Sequence, residues 1–269
     1  MRIASRQPLW NGGGRGTVLE VNMTPATGLY LKFVYCSVKD RPFVIKWGDG
    51  TKTERPYATG DLTVNHTYPA YGKYKIVAEG CTCIVFRVLD GQPQHSYDAA
   101  ITSFVDYSGQ ITGSRSAAYK KAVNLERFIA PNAAWIGQRD FAYCAKLKEA
   151  VLGNVGIHYD GSFQYCTSLE KFTTINTGCC WRYVWQGCSK LRELRLGNVT
   201  QFATQAFDQC PLLTDIWIDD KTVEQIKGVA SEGNIAHGYG AVFPWNANAA
   251  CRFHGTNGIV LGDGTIIHD

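Results

Sequence analysis

At 269 residues and 45% apolar content, the chain is long enough to bury one large core or two ordinary ones. Its formal charge of +4 is unevenly placed: residues 1–100 hold 12 Lys/Arg against 8 Asp/Glu, whereas residues 101–269 hold 15 of each. The neutral second half lacks the basic footprint that phosphate backbones require, so no nucleic-acid partner is expected. No apolar run of about 18 residues occurs, so no transmembrane helix is expected either.

The opening, residues 1–16, is rich in glycine at Gly12, Gly13, Gly14 and Gly16 and reads as a flexible lead. Met1 to Arg15 has no apolar stretch of the kind that forms the centre of a secretory signal. From Thr17, short runs rich in Val, Ile, Tyr and Phe follow: TVLEVNM, LYLKFVYCSV, FVIKW, LTVNHTY and YKIVAEGCTCIVFRVL. Punctuated by Gly, Pro and Asp, they are expected to be half-buried strands of a β-sandwich over residues 17–89. Trp47, Gly48, Asp49 and Gly50 form a WGDG turn, in which glycines supply unusual dihedrals and Asp49 bonds nearby amides. With the HTYPAYGKY stretch around His66, Tyr68, Gly72 and Tyr74, this turn resembles the signature of the PKD family of Ig-like domains. The role of the turn is structural, because one carboxylate makes a poor calcium site.

Residues 90–100 are polar with Gly and Pro and read as a linker. A solenoid is expected over residues 101–269, with a C-terminal cap at 214–269. Cysteine recurs every 22 residues at Cys144, Cys166, Cys188 and Cys210, and leucine keeps the same step at Leu125, Leu147, Leu169, Leu191 and Leu213. The register also holds Phe141, Phe163, Trp185 and Phe207, and Asn132, Asn154, Asn176 and Asn198. A fixed period of this length marks stacked units that bury a shared core. The pattern resembles the leucine-rich repeats of BspA-like type found in bacterial surface proteins. That resemblance implies export and an adhesin-like role towards host or matrix components. After Leu213, Thr222 and Gln225 form a capping box ahead of a helical face of Val223, Ile226 and Ala230. The tail then reads as a terminal hairpin that covers the last coil.

Stacked coils set equivalent residues into ladders. The columns Glu126, Lys148, Glu170, Arg192 and Arg127, Glu149, Lys171, Glu193 alternate in sign, which fixes register rather than building a ligand field. The column Ile129, Val151, Thr173, Arg195, Trp217 is expected to face outward and end in an Arg/Trp pair. Trp135, Tyr159, Trp181 and Tyr183 concentrate aromatics in the looser stretches. Together with Arg195 and Trp217 they are the candidate binding residues, suited to a sugar face or a protein partner. His158 shares its column with Ile136, Cys180 and Phe202 and is expected to be a satisfied core histidine, with Cys180 the only conceivable nucleophile beside it.

The repeat cysteines are expected to be free, buried thiols, and neither Cys81/Cys83 nor Cys179/Cys180 has zinc spacing. No Walker loop, dinucleotide-binding glycine pattern or HExxH occurs. Catalytic residues, metal and cofactors are therefore expected to be none. The expectation is a mainly β, non-enzymatic binding protein of bacterial cell-surface type that recognises a glycan or protein through the solenoid. The alternative is a phage or intracellular scaffold component, and a hydrolase fits least.

Overall fold

The computed structural model describes residues 16–85, 97–114, 116–203, 205–229, 247 and 249–269. Most of the lead, most of the proposed linker and Ala230 lie outside them. The chain is mainly β: among the described residues, fifteen strands belong to one hydrogen-bonded sheet, with two short helices, α1 (Tyr97–Ala100) and α2 (Val223–Val229).

The N-terminal part holds β1 (Thr17–Met23), β2 (Tyr30–Lys46), β3 (Lys52–Thr67), β4 (Gly72–Glu79) and β5 (Cys81–Val85). In β1 burial alternates along TVLEVNM, the period-2 signature of a strand with one face in the core. The stretches LYLKFVYCSV and FVIKW do not separate into two strands: β2 runs through both, shifting register at bulges as it pairs with β3. Conversely, YKIVAEGCTCIVFRVL breaks at Gly80, whose φ of +85° ends β4 before β5 begins. Antiparallel ladders join β1 to β4, β4 to β2, and β2 to both β3 and β5.

The two halves of the WGDG…HTY pattern meet in space. Asp49 accepts from the Thr51 amide at 3.0 Å and the Thr51 hydroxyl at 2.7 Å, and lies 2.7 Å from His66 Nε2. Burial pulls the Asp49 carboxyl upward, but the Thr51 and His66 donors outweigh it and hold the group down at about 2. The Trp47 ring stacks on His66 at 4.7 Å, and the Tyr68 hydroxyl donates to the Trp47 carbonyl at 3.1 Å. The turn is thus locked by its own distant sequence partners.

From β6 (Ile101–Asp106) the chain winds into a β-solenoid of about five turns. Its main face is a parallel ladder of β6, β7 (Arg127–Ala130), β8 (Glu149–His158), β9 (Lys171–Cys180), β10 (Glu193–Arg195), β12 (Asp215–Trp217) and β13 (Arg252–His254). The strands β8 and β9 continue around a corner into a second ladder, extended by β11 (Gln201–Phe202) and by bridges at Gly113–Trp135 and Ile136–His158. The third side is made of turns, where Phe141, Phe163 and Trp185 amides donate to the Ser162, Val184 and Ala206 carbonyls of the next coil.

Leucines 125, 147, 169, 191 and 213 are buried, and Tyr119–Phe141, Phe141–Phe163 and Trp185–Phe207 stack at 5.0, 4.8 and 5.5 Å. The thiols of Cys144, Cys166, Cys188 and Cys210 are free and buried, and each donates to a backbone carbonyl of the preceding coil at 3.0–3.2 Å.

Each coil turns through two left-handed residues four positions apart. One column is Ala117, Arg139, Gly161, Tyr183 and Gln205, the other Lys121, Tyr143, Tyr165, Gly187 and Gln209. Most are not glycine, so no composition signal marks them.

The C-terminal cap carries the expected capping box: the Thr222 amide donates to Gln225 Oε1 at 2.9 Å, and the Gln225 amide to Thr222 Oγ1 at 3.3 Å. The tail is a three-stranded meander rather than a single hairpin. Here β13 continues the parallel ladder, and β14 (Gly258–Leu261) and β15 (Ile266–His268) fold back on it antiparallel. At the opposite end β6 pairs antiparallel with β1, and one cluster of buried side chains runs from Leu19 to Val260.

Candidate functional site

The outward column of the main face is realised in register as Val105, Ile129, Val151, Thr173, Arg195, Trp217 and His254. Contrary to the sequence expectation, Ile129 is only 4% exposed, flanked at strand spacing by Val105 and Val151. The exposed end is therefore the C-terminal one. There the Arg195 guanidinium lies 4.5 Å over the Trp217 ring while its Nε donates to Glu193 at 2.7 Å. On the other side of Trp217, His254 stacks at 3.7 Å with a 12° interplanar angle.

Both faces of the indole are thus covered by neighbouring coils, and its Nε1 is buried without a hydrogen-bond partner among the described residues, so what the ring presents is its carbon rim. Below it, Asp215 accepts from His254 Nε2 at 2.7 Å and from Arg252 at 2.9 Å. Burial raises the Asp215 carboxyl, but bonds from His254, Arg252 and Thr214 prevail and hold it below the ordinary carboxylate range. His254 escaped the sequence reading because α2 and the segment after it stretch the last coil to a 37-residue step, breaking the period.

The looser-stretch aromatics divide. Trp135, 41% exposed, sits edge-on to Tyr159 at 6.2 Å, and Tyr159 packs against Trp181 at 5.3 Å. Those three form a half-exposed ladder at one corner. Tyr183 stands apart from them at a left-handed turn position. Another pair, Tyr143 and Tyr165, stacks at 5.2 Å on the turn face, and the sequence reading missed it. Its signal was present in the 22-residue spacing, one position before each cysteine.

The charge columns behave as register pins: Lys148 pairs with Glu126 at 2.7 Å and Arg127 with Glu149 at 2.8 Å. Asn176 donates to Asn154 at 2.9 Å and accepts from the Asn198 amide at 3.3 Å.

His158 is buried, as expected, but it is not satisfied: neither ring nitrogen has a partner among the described residues, and the ring lies among Phe163, Phe172 and Trp185. Burial lowers its pKa to about 3 and pushes the adjacent Cys180 thiol up. A neutral imidazole without a hydrogen bond to a protonated thiol is no nucleophile pair. Among the described residues, no group of three or more His, Cys, Asp or Glu is placed to hold a metal, and no helix is long and apolar enough to cross a membrane.

Comparison with known proteins agrees with the repeat geometry. Residues 110–234 match the family model described as BspA type leucine rich repeat region, in 6 copies. No curated protein matches the chain. Among solved structures the chain is similar to the crystal structure of the T. pallidum leucine rich repeat protein, at 19% identity and a TM-score of 0.35 over 51% of this chain. The chain spans 58% of that protein's length. With its buried leucine ladder and parallel strand face, the stretch 110–234 is similar to a BspA-type leucine-rich repeat region.

Proposed function

We propose that the chain is a non-enzymatic binding protein of bacterial cell-surface type whose main solenoid face holds a protein partner at Arg195, Trp217 and His254. The observation that carries this reading is the Arg195–Trp217–His254 stack. A Trp covered on both faces cannot lie flat against a sugar ring. It can offer its carbon rim, a guanidinium and the neighbouring Arg252 to a protein surface, the Trp/Arg combination that dominates protein hot spots. Trp135, Tyr159 and Trp181 would extend the contact at the corner, with Tyr183 peripheral.

The reading includes two units, a PKD-like Ig-like sandwich over 17–89 and the capped solenoid over 101–269. It is supported by the locked WGDG turn on one side and the repeat on the other. Adhesion follows from the BspA-type resemblance, a warrant of fold analogy.

The test is biolayer interferometry of the whole chain against purified extracellular-matrix proteins, with wild type, Arg195→Ala and Arg252→Ala. The expected result is one saturable partner whose affinity falls about tenfold or more in the Arg195 variant, the loss of one hot-spot contact. Saturable binding indifferent to both substitutions, or no binding to any of the proteins, would refute the assignment.

A further inference from the structure

The outer face of the main sheet does not stop at the first coil. The row of charges that runs Arg127, Glu149, Lys171 across the coils continues the other way, through Ser103 on β6 and Glu20 on β1, to Lys75 on β4. Ser103 interrupts the alternation of sign at the seam. Over that interruption opens a groove of about 780 Å³ that spans β4, β1, β6 and β7, and every residue lining it belongs to the described part of the chain. Four cations, Lys73, Lys75, Arg127 and Lys146, line it against two carboxylates, Glu20 and Glu126. Arg127 is paired with Glu149 and Glu126 with Lys148, so with these two partners counted five cations face three carboxylates. Lys73 and Lys75 have no ion pair among the described residues, and Lys146 is held by the Asn124 amide oxygen at 2.8 Å.

We propose that this seam groove is a binding site for a sulfated polysaccharide. Lys73 and Lys75 stand two residues apart on one face of β4, an interval of about 7 Å, so they meet anionic groups that repeat along a chain. Their ammonium groups are point charges that take an anion in any orientation, whereas the one guanidinium, whose fork would select a carboxylate, is already engaged by Glu149. Between the cations, the Asn22 amide and the Ser103 hydroxyl have no hydrogen-bond partner among the described residues, and both are suited to sugar hydroxyls. Val105 beneath them is only 4% exposed, so it gives no anchor to an apolar peptide side chain or an acyl chain. Excess positive charge, free hydrogen-bonding groups and a poorly exposed apolar floor together fit a chain of sulfated sugars. Four strands separate β6 from β12, so this groove and the Arg195–Trp217–His254 stack stand or fall separately.

The experiment is a calorimetric titration of the whole chain with a heparin hexasaccharide and with its desulfated, N-acetylated form, which keeps the carboxylates. The sulfated probe binds wild type with a dissociation constant below about 1 mM in about 50 mM salt, and the affinity falls as salt is raised to about 300 mM. Replacing both exposed lysines, Lys73→Ala with Lys75→Ala, weakens binding about tenfold or more with unchanged melting, and Lys146→Ala weakens it as well. Arg252→Ala leaves it intact, which separates the groove from a simple effect of net charge and from the protein-binding face. Absence of binding by the sulfated probe, equal binding of the desulfated one, or binding that survives the lysine substitutions overturns the proposal. So does an equal loss in Arg252→Ala, or tighter binding of a single-stranded oligonucleotide of the same charge.

Discussion

Cys166 donates its thiol hydrogen to the Phe141 carbonyl 3.0 Å away, one coil back, and the same bond recurs at Cys144, Cys188 and Cys210. The repeat cysteine is therefore a small apolar side chain with one weak donor that has a fixed use. The Phe141 carbonyl also accepts from the Cys144 amide at 3.1 Å, so it is not orphaned when the thiol is removed. Cys166→Ala is expected to cost about 1–2 kcal/mol, from a small cavity and a weak bond. Cys166→Ser should cost about 1 kcal/mol, because its hydroxyl has an acceptor waiting. Chemical denaturation measures both. A serine cost above about 3 kcal/mol would mean that the hydroxyl is stranded. Reductant should leave Tm unchanged, since these thiols are free.

Two buried titratable groups on consecutive coils pull stability in opposite directions with pH. Burial pushes Asp140 up to about 7, against donors from Ser114, Ala118 and Gly137, and lowers His158 to about 3. A raised carboxyl contributes stability that is full below its ordinary pKa and lost as pH rises towards 7. A lowered histidine contributes stability that is full above about 6.5 and lost as pH falls towards 3. Between about 4 and 6.5 the two slopes oppose. In His158→Phe, stability should fall with rising pH, and in Asp140→Asn it should climb, each by at most about 1.4 kcal/mol per pH unit. Denaturation midpoints from pH 4 to 7 decide this, and parallel profiles for the two variants would contradict it.

At neutral pH the His158→Phe variant should also be more stable than wild type by about 1–2 kcal/mol. It removes two unpaired buried nitrogens, and the column already holds Phe202 one coil beyond Cys180. A lower Tm would show that the larger ring cannot be seated between Phe163 and Trp185.

Glu149 stands between Arg127 and Lys171 on neighbouring strands. Glu149→Lys would set three cations in a row and should destabilise by about 1 kcal/mol at low salt, with the deficit shrinking as salt rises. Melting in 20 and 500 mM salt tests the sign.

The seam between β1 and β6 sets Leu19 opposite Phe104, both fully buried, with Phe104 stacked on Phe128 at 4.6 Å. Leu19→Ala should cost about 2–5 kcal/mol. If the seam couples the two parts, calorimetry will show the whole transition moving; if they melt separately, only one component will shift.

The sequence made the solenoid legible because its information is periodic: Leu147, Cys166 and Phe163 identify the core at every coil. Turn geometry was far less legible. Tyr143 and Arg139 adopt left-handed backbone that their side chains do not advertise, and the bulged path of β2 arises from pairing with three other strands. Of the candidate site, Arg195 and Trp217 could be read from their column. His254 could not, because its 37-residue step has no counterpart elsewhere in the repeat.

The alternating columns give the solenoid an electrical period twice its structural one. Removing one whole coil, residues 147–168, would rejoin leucine to leucine and cysteine to cysteine, yet it would set Glu126 beside Glu170 and Arg127 beside Lys171. Removing two would restore opposite signs. Lengthening or shortening of this molecule by duplication is thus penalised in odd steps and tolerated in even ones, a parity rule on its size written in surface side chains.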